Sequence, residues 1–350
     1  MNTEYYVVDK NHIDTDMLSA AGEIIKSGGL VAFPTETVYG LGGDALNSDS
    51  SKKIYAAKGR PSDNPLIVHI SKMDDLYKIA KYVPDEAKIL AEKYWPGPLT
   101  MIFEKKDIVP YETTGGLDTV AVRFPSHPVA QIFIEKSGGF VAAPSANLSG
   151  RPSPTTAQHV KEDMSGRIDM IIDSGACNIG LESTIIDFTQ NTPMMLRPGY
   201  ISEEMLRQVL GEVDKDPAVF GDTVTDALPK APGMKYRHYA PKGQLSIVSG
   251  DVDTVSDFIR NRIDTKKNGV RIGVITCSDK KQMYEGADFI GDIGNRDDEC
   301  TIASRLYDIL RACDEYEIDE IYSEEFDTPQ LGLAIMNRLI KAAGHTVIKV

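Results

Sequence analysis

The chain lacks most of the devices through which proteins commonly bind or react. Its four cysteines, Cys177, Cys277, Cys300 and Cys313, form no CxxC pair. That argues against a disulfide scaffold or a zinc centre and fits a reducing cytoplasm. No apolar run approaches the roughly 20 residues that a spanning helix needs, so no membrane partner is expected. The opening residues, Met1-Asn2-Thr3-Glu4-Tyr5-Tyr6, lack the basic and apolar regions of a signal peptide. Positive charge is scarce: 38 Lys and Arg stand against 52 Asp and Glu, a formal net charge of −14. A broad basic face for nucleic acid is therefore disfavoured, and any anionic ligand must be held by local cations against the overall field. There is no GxxxxGK[ST], HExxH, GxSxG or kinase signature, and no repeat of solenoid period.

What remains is a globular composition, 41% hydrophobic and 26% charged, over 350 residues. That length exceeds one ordinary core and suggests two domains. Residues 1–210 alternate helix and strand patterns. Apolar runs predict strands at Leu30–Phe33, Leu66–Ile70, Leu99–Phe103, Thr119–Arg123, Phe140–Ala143, Met170–Asp173, Thr184–Asp187 and Met194–Leu196. Helices are expected over 14–26, 48–58, 84–94, 127–137, 155–162 and 202–210. Strands outnumber the available crossover helices, which predicts a mixed α/β sheet. Residues 211–243, with Pro217, Pro229, Pro232 and Pro241, read as a linker. Within it 230–242 carries Lys230, Lys235, Arg237 and Lys242 and no acid. Residues 244–350 alternate more cleanly and predict a small doubly wound α/β unit of about five strands.

The most informative stretch is Phe33-Pro34-Thr35-Glu36-Thr37-Val38-Tyr39-Gly40, followed by Lys58-Gly59-Arg60-Pro61-Ser62-Asp63-Asn64-Pro65. An apolar strand ends at a proline and releases hydroxyls; a helix later, a rigid loop presents two cations. That combination suits an anionic small molecule, most naturally a nucleotide. A solvated helix end is the plain alternative for Lys58. The pattern of 34–40 is echoed by Pro144-Ser145-Ala146-Asn147-Leu148-Ser149-Gly150, so the two loops are expected to face one cavity. Ser145 and Asn147 suit phosphate or nucleoside, or else an ordinary turn. Arg123 ends a strand, where it suits a carboxylate or a surface ion pair. Ser183-Thr184 and Arg197-Pro198-Gly199 have the same form. His69 alternates with Val68 and Ile70, a pattern that is more often structural. Gly40-Leu41-Gly42-Gly43-Asp44-Ala45 formally fits a dinucleotide fingerprint but does not directly follow its strand, which argues against that reading.

Taken together, PTETVYGLGGDA (34–45), KGRPSDNPLIVH (58–69), WPGPLT (95–100), VAVRFPSHP (120–128), APSANLSGRPSPT (143–155), LESTIID (181–187) and LRPG (196–199) resemble the YrdC-like family in its two-domain form. The resemblance implies a twisted sheet with a concave, locally positive face and a Rossmann-like C-terminal domain. It implies a nucleotidyltransferase that converts L-threonine, bicarbonate and ATP into L-threonylcarbamoyl-adenylate and pyrophosphate. The product would feed a downstream tRNA threonylcarbamoyl transferase acting on adenosine 37.

Residue by residue, the resemblance makes Lys58, Arg60, Ser145 and Asn147 the catalytic set. Arg60, Asn64, Thr119, Ser145, Ser153, Arg197 and Tyr236 would bind ATP. Thr37, His69, Arg123, Ala143 and Ser183 would bind threonine. Magnesium is expected with ATP, without a dedicated protein cage. The segment 235–241 is expected to fold back over the active site. Two alternatives stand beside this reading. One is a double-stranded RNA or tRNA-binding module, with weak RNA binding possible in either case. The other is a carbamoyl-adenylate former related to hydrogenase-maturation carbamoyltransferases, whose acylphosphatase and CxxC modules are missing.

Overall fold

The computed structural model describes residues 2–217 and 238–350. The chain divides into two compact units. The first takes Met1–Ser149, Pro154–Asn178 and Glu182–Lys235; the second takes Tyr236–Val350 together with Gly150–Ser153 and Ile179–Leu181. Two short excursions of the N-terminal chain thus group with the second unit, which no single cut along the sequence would show.

In the first unit, the strands are β1 (Glu4–Val7), β2 (Val31–Phe33), β3 (Gly40–Asp44), β4 (Ile67–His69), β5 (Leu99–Glu104), β6 (Thr119–Arg123), β7 (Val141–Ala143), β8 (Met170–Asp173), β9 (Thr184–Asp187), β10 (Met194–Arg197) and β11 (Asp214–Lys215). Among the described residues they form one sheet in the order β1-β8-β2-β3-β7-β4-β6-β5-β9-β10-β11. Parallel pairs such as β4–β6 alternate with antiparallel ones such as β5–β6, so the sheet is mixed, as the strand count predicts. The disputed glycine-rich segment 40–45 is mostly β3, paired between β2 and β7; it is no phosphate-binding turn.

Strand alternation sorts the side chains of the sheet's centre. Val68, Met101, Phe103, Val120, Val122, Ala142 and Ile186 enter the main core. The opposite face carries a smaller apolar patch, Ile67, Ile102, Ala121, Ile185 and Leu196. Toward β1, that opposite face is covered by the helices Thr15–Lys26 and Pro128–Lys136, which bury Leu18, Ile25, Phe133 and Ile134 against Phe33, Val141 and Ala143. Polar residues confined to one face of a sheet with a packed core behind them are held by the register, and here that register positions the candidate site.

The second unit contains β12 (Gln244–Ser249), β13 (Ile272–Thr276), β14 (Phe289–Asp292), β15 (Glu320–Glu324) and β16 (Val347–Lys349). Their order is β14-β13-β15-β12-β16, every pairing is parallel, and helices connect them. It is the doubly wound unit the sequence predicts. Among the described residues no helix is long and apolar enough to cross a membrane.

Candidate functional site

One row of side chains crosses the centre of the first sheet. Thr100 on β5 pairs with Arg123 on β6, and Arg123 pairs with His69 on β4. Neighbours in register point to the same face, so these three lie side by side. Two residues along each strand, about 7 Å away, a second row follows: Ile102, Ala121, Ile67 and Ala143. Beyond it Glu104 pairs with Thr119. The face therefore has a polar edge, an apolar floor and a second polar edge.

Ser183 and Arg197 extend the first row. Thr100 Oγ1 lies 2.7 Å from Ser183 Oγ, and Arg197 donates from Nη2 to Ser183 Oγ at 3.1 Å and from Nε to Ser183 O at 2.9 Å. A β-bulge makes this possible. Met195 pairs with Ile186, but Arg197 pairs with Ile185, so the extra residue Leu196 turns Arg197 to the side of Ile185 and away from that of Met195.

His69 is buried, and its Nδ1 lies 3.0 Å from Ile67 O. Burial first, and the Arg123 charge second, push its pKa down to about 3, so the imidazole is neutral at physiological pH. Arg123 is also buried, and its Nη2 comes within 2.9 Å of Glu36 Oε1. The approach is off the hydrogen-bonding direction: among the described residues, neither Glu36 oxygen, nor Arg123 Nε or Nη2, has a hydrogen-bond partner. The pairing of Arg123 is thus internal, not the surface ion pair that the sequence leaves open. Thr37 lies on the same loop, 2.9 Å from Thr35 Oγ1 through its own hydroxyl.

The Lys58 loop is built by its glycine. Helix Ser48–Lys58 ends at Gly59 with φ 62°, where the Gly59 amide donates to Ala56 O and the Arg60 amide to Tyr55 O. That double reversal leaves Lys58 on the helix and Arg60 beyond it, which explains the single spacer between the two cations. Lys58 is buried, and its Nζ donates to Ser145 O, to Asn147 O at 2.5 Å and to Asn147 Oδ1 at 3.3 Å. Ser145 Oγ donates to that same Oδ1 at 2.5 Å. Three members of the expected catalytic set are therefore in direct contact. Arg60 donates to the carbonyls of Asn64 at 3.2 Å and Pro65 at 3.1 Å. The echoing loops lie side by side, since Gly40 bridges Ser145, Leu41 N donates to Pro144 O and Ala146 N to Tyr39 O. Ser153 is buried in the segment that groups with the second unit, and Tyr236 lies outside the described residues.

Two residues beside Arg123, Glu36 on its loop and Thr100 on β5, escape a reading by motif. Each stands inside a quoted motif, but only the register and burial reveal what it touches.

Residues 23–199 match the family described as "Telomere recombination", the Sua5, YciO and YrdC group, and residues 201–344 match the threonylcarbamoyl-AMP synthase C-terminal domain. The threonylcarbamoyl-AMP synthase of Pyrococcus abyssi is 48% identical over 97% of this chain and 98% of its own length. The chain belongs to the threonylcarbamoyl-AMP synthase family. The Bacillus subtilis member is 45% identical over 98% of this chain and 97% of its own. A crystal structure of P. abyssi Sua5 complexed with L-threonine superposes with a TM-score of 0.93 at 47% identity, covering 99% of this chain and 100% of that one. Membership makes this chain an enzyme of the nucleotidyltransferase type.

Proposed function

We propose that the enzyme condenses L-threonine, bicarbonate and ATP to L-threonylcarbamoyl-adenylate with release of pyrophosphate, and so supplies the group that a downstream transferase places on tRNA adenosine 37. The observation that carries this reading is the one-faced row Thr100–Arg123–His69 with Ser183 and Arg197 beside it. It offers a buried cation for a carboxylate and hydroxyls for a small polar side chain, over an apolar floor that suits a methyl group or a base. That a family member has been crystallised with L-threonine supports the amino-acid half.

In this reading Arg123, His69, Thr37, Ser183 and the Ala143 backbone hold threonine. Arg60, Asn64, Thr119, Ser145, Ser153, Arg197 and Tyr236 hold ATP. Lys58 fixes Ser145 and Asn147, so that hydroxyl and amide meet the phosphates already oriented. Threonine's neutral amine adds to CO2 derived from bicarbonate, and a carbamate oxygen then attacks the α-phosphorus as pyrophosphate leaves. Carbamates decompose in water, so enclosure matters as much as acid or base. The phosphoryl step needs positioning and charge neutralisation more than a nucleophile, which is why cations and hydroxyls dominate. His69, neutral and desolvated, contributes a hydrogen-bonding ring and no charge. Among the described residues no three His, Cys, Asp or Glu cluster to hold a metal. Magnesium enters as part of the substrate, carried on the phosphates of ATP. A cytoplasmic location belongs to the same reading, since ATP and tRNA are found there.

The test is mass spectrometry of a reaction holding MgATP, L-threonine and bicarbonate. Threonylcarbamoyl-adenylate should form, and pyrophosphate should appear only when all three are present. Pyrophosphate release that ignores threonine would refute the proposal.

A further inference from the structure

Glu36 is buried beside Arg123, yet neither half of this pair is completed. Among the described residues, both Glu36 carboxylate oxygens and the Arg123 Nε and Nη2 are shielded from solvent without an aligned hydrogen bond, although the charges approach to 2.9 Å. A buried ion pair recovers its desolvation cost only with good geometry and further hydrogen bonds. Among the described residues this one has neither. The groups around it do not make up the deficit. His69, next to Arg123 in register, is held neutral by burial. The Cys177 thiol, which senses both Glu36 and Arg123, is pushed up by burial and stays protonated. His127 feels the Glu36 charge, but burial lowers its pKa overall. Meanwhile the loop holds Glu36 in place, because Thr35 Oγ1 accepts from Thr37 N at 3.2 Å and Val38 N at 3.3 Å and donates to Val38 O at 2.6 Å.

A ligand carrying both charges would complete both halves at once. We propose that Glu36 receives the α-ammonium of the amino-acid substrate while Arg123 receives its carboxylate, so that the pair selects an α-amino acid over the same acid without its amine. The inference rests on the threonine reading above and adds a residue to it. A carboxylate beside an ammonium favours the charged amine, so Glu36 binds and positions the substrate as it arrives and does not activate it; the ammonium gives up its proton before the amine adds to CO2. Its loss should therefore appear in KM more than in kcat.

The experiment is calorimetric titration of wild type, Glu36→Gln and Glu36→Asp with L-threonine and with 3-hydroxybutyrate, which keeps the carboxylate and hydroxyl but lacks the amine. Glu36→Gln should weaken L-threonine by about 10–100-fold, the range for a charge-assisted hydrogen bond. Binding of 3-hydroxybutyrate should hold or improve, because Arg123 loses its internal competitor. Glu36→Asp keeps the charge and should lose only a fraction of that affinity, which covers the case in which the Gln variant folds poorly. Parallel weakening of both ligands, or unchanged threonine binding, would overturn the assignment. Wild-type protein that binds no threonine would instead remove the reading beneath it, and this inference with it.

Discussion

Lys58 Nζ and Asn147 are joined twice, through the Asn147 carbonyl at 2.5 Å and its Oδ1 at 3.3 Å, and Lys58 O in turn accepts from Ser149 N at 2.9 Å. The lysine thus stitches the end of the Ser48–Lys58 helix to the 145–149 loop. Arg60, two residues on, makes its described bonds to Asn64 and Pro65 within its own loop.

That difference separates two variants that a phosphate-clamp reading alone would treat alike. Lys58→Ala leaves buried carbonyls without their donor, about 1–3 kcal/mol for each group stranded. Both thermal stability and pyrophosphate release should fall. Arg60→Ala should cost about 10²–10³ in rate with a smaller fall in Tm, because the Asn64 carbonyl it bonds keeps the Tyr55 hydroxyl, at 3.2 Å, as a second donor. Calorimetric melting and a threonine-dependent pyrophosphate assay on both proteins check this; equal Tm losses would contradict it.

His69 gives a pH prediction with a definite sign. Its folded pKa, about 3, lies below the ordinary value of about 6.5. Between these values the unfolded chain binds a proton that the native state refuses. Stability is therefore fully present above about pH 6.5 and is lost as pH falls toward 3, by up to about 1.4 kcal/mol per pH unit. In His69→Gln the urea midpoint should decline less steeply from pH 7 to pH 4.5 than in wild type. Identical slopes would mean that His69 titrates normally. No imidazole ionisation from His69 should appear in the activity profile above pH 5.

Gly199 explains why Arg197 can approach Ser183. A Cβ at this position would meet Thr184 N at 2.5 Å, Glu182 O at 2.7 Å and the Ser183 carbonyl carbon at 2.8 Å, all backbone atoms that cannot swing aside. Gly199→Ala should cost about 1–3 kcal/mol, as overpacking does, and should raise KM for ATP by displacing Arg197. Melting curves and initial rates at varied ATP would show it. A variant with wild-type KM would separate Arg197 from the nucleotide.

The apolar runs carried much of the fold openly. Strands β6, β8 and β9 coincide with their predicted bounds, because each is a short buried run with clear ends. β1 was invisible because all four of its residues are exposed, so it has no buried face to create a pattern. β3 was hidden by its glycines, which carry no hydrophobic signal although the strand lies mid-sheet. The helix Met73–Ile79 has only 7 residues, under two turns, too short for a 3.6-residue period to show. Arg197 is the instructive case at the site. Strict alternation would send it to the Met195 side; only the bulge, a property of pairing and not of local sequence, brings it to Ser183. Glu36 was legible as a motif letter but not as half of a buried pair, since Arg123 lies far along the chain.

The second unit has its own polar centre, and it sets a test confined to that unit. Glu324, at the end of β15, is buried and accepts from Thr276 Oγ1 at 2.6 Å, Tyr284 OH at 3.0 Å, Lys280 Nζ at 2.8 Å and Arg296 Nη2 at 3.1 Å. Burial above all pushes up the Tyr284 hydroxyl, and the Glu324 charge adds to it, so the tyrosine remains a donor. Glu324→Ala would leave two cations facing each other and two hydroxyls without their acceptor. Breaking a buried ion pair costs about 3–5 kcal/mol; the lower end is expected here, because the Arg296 side chain is 41% exposed and can turn to water. The chain's single tryptophan, Trp95, belongs to the first unit. In urea, then, circular dichroism of Glu324→Ala should show an early loss of helix that Trp95 fluorescence does not follow. If both signals shift together, the two units unfold as one; if neither shifts, the carboxylate contributes nothing that water cannot replace.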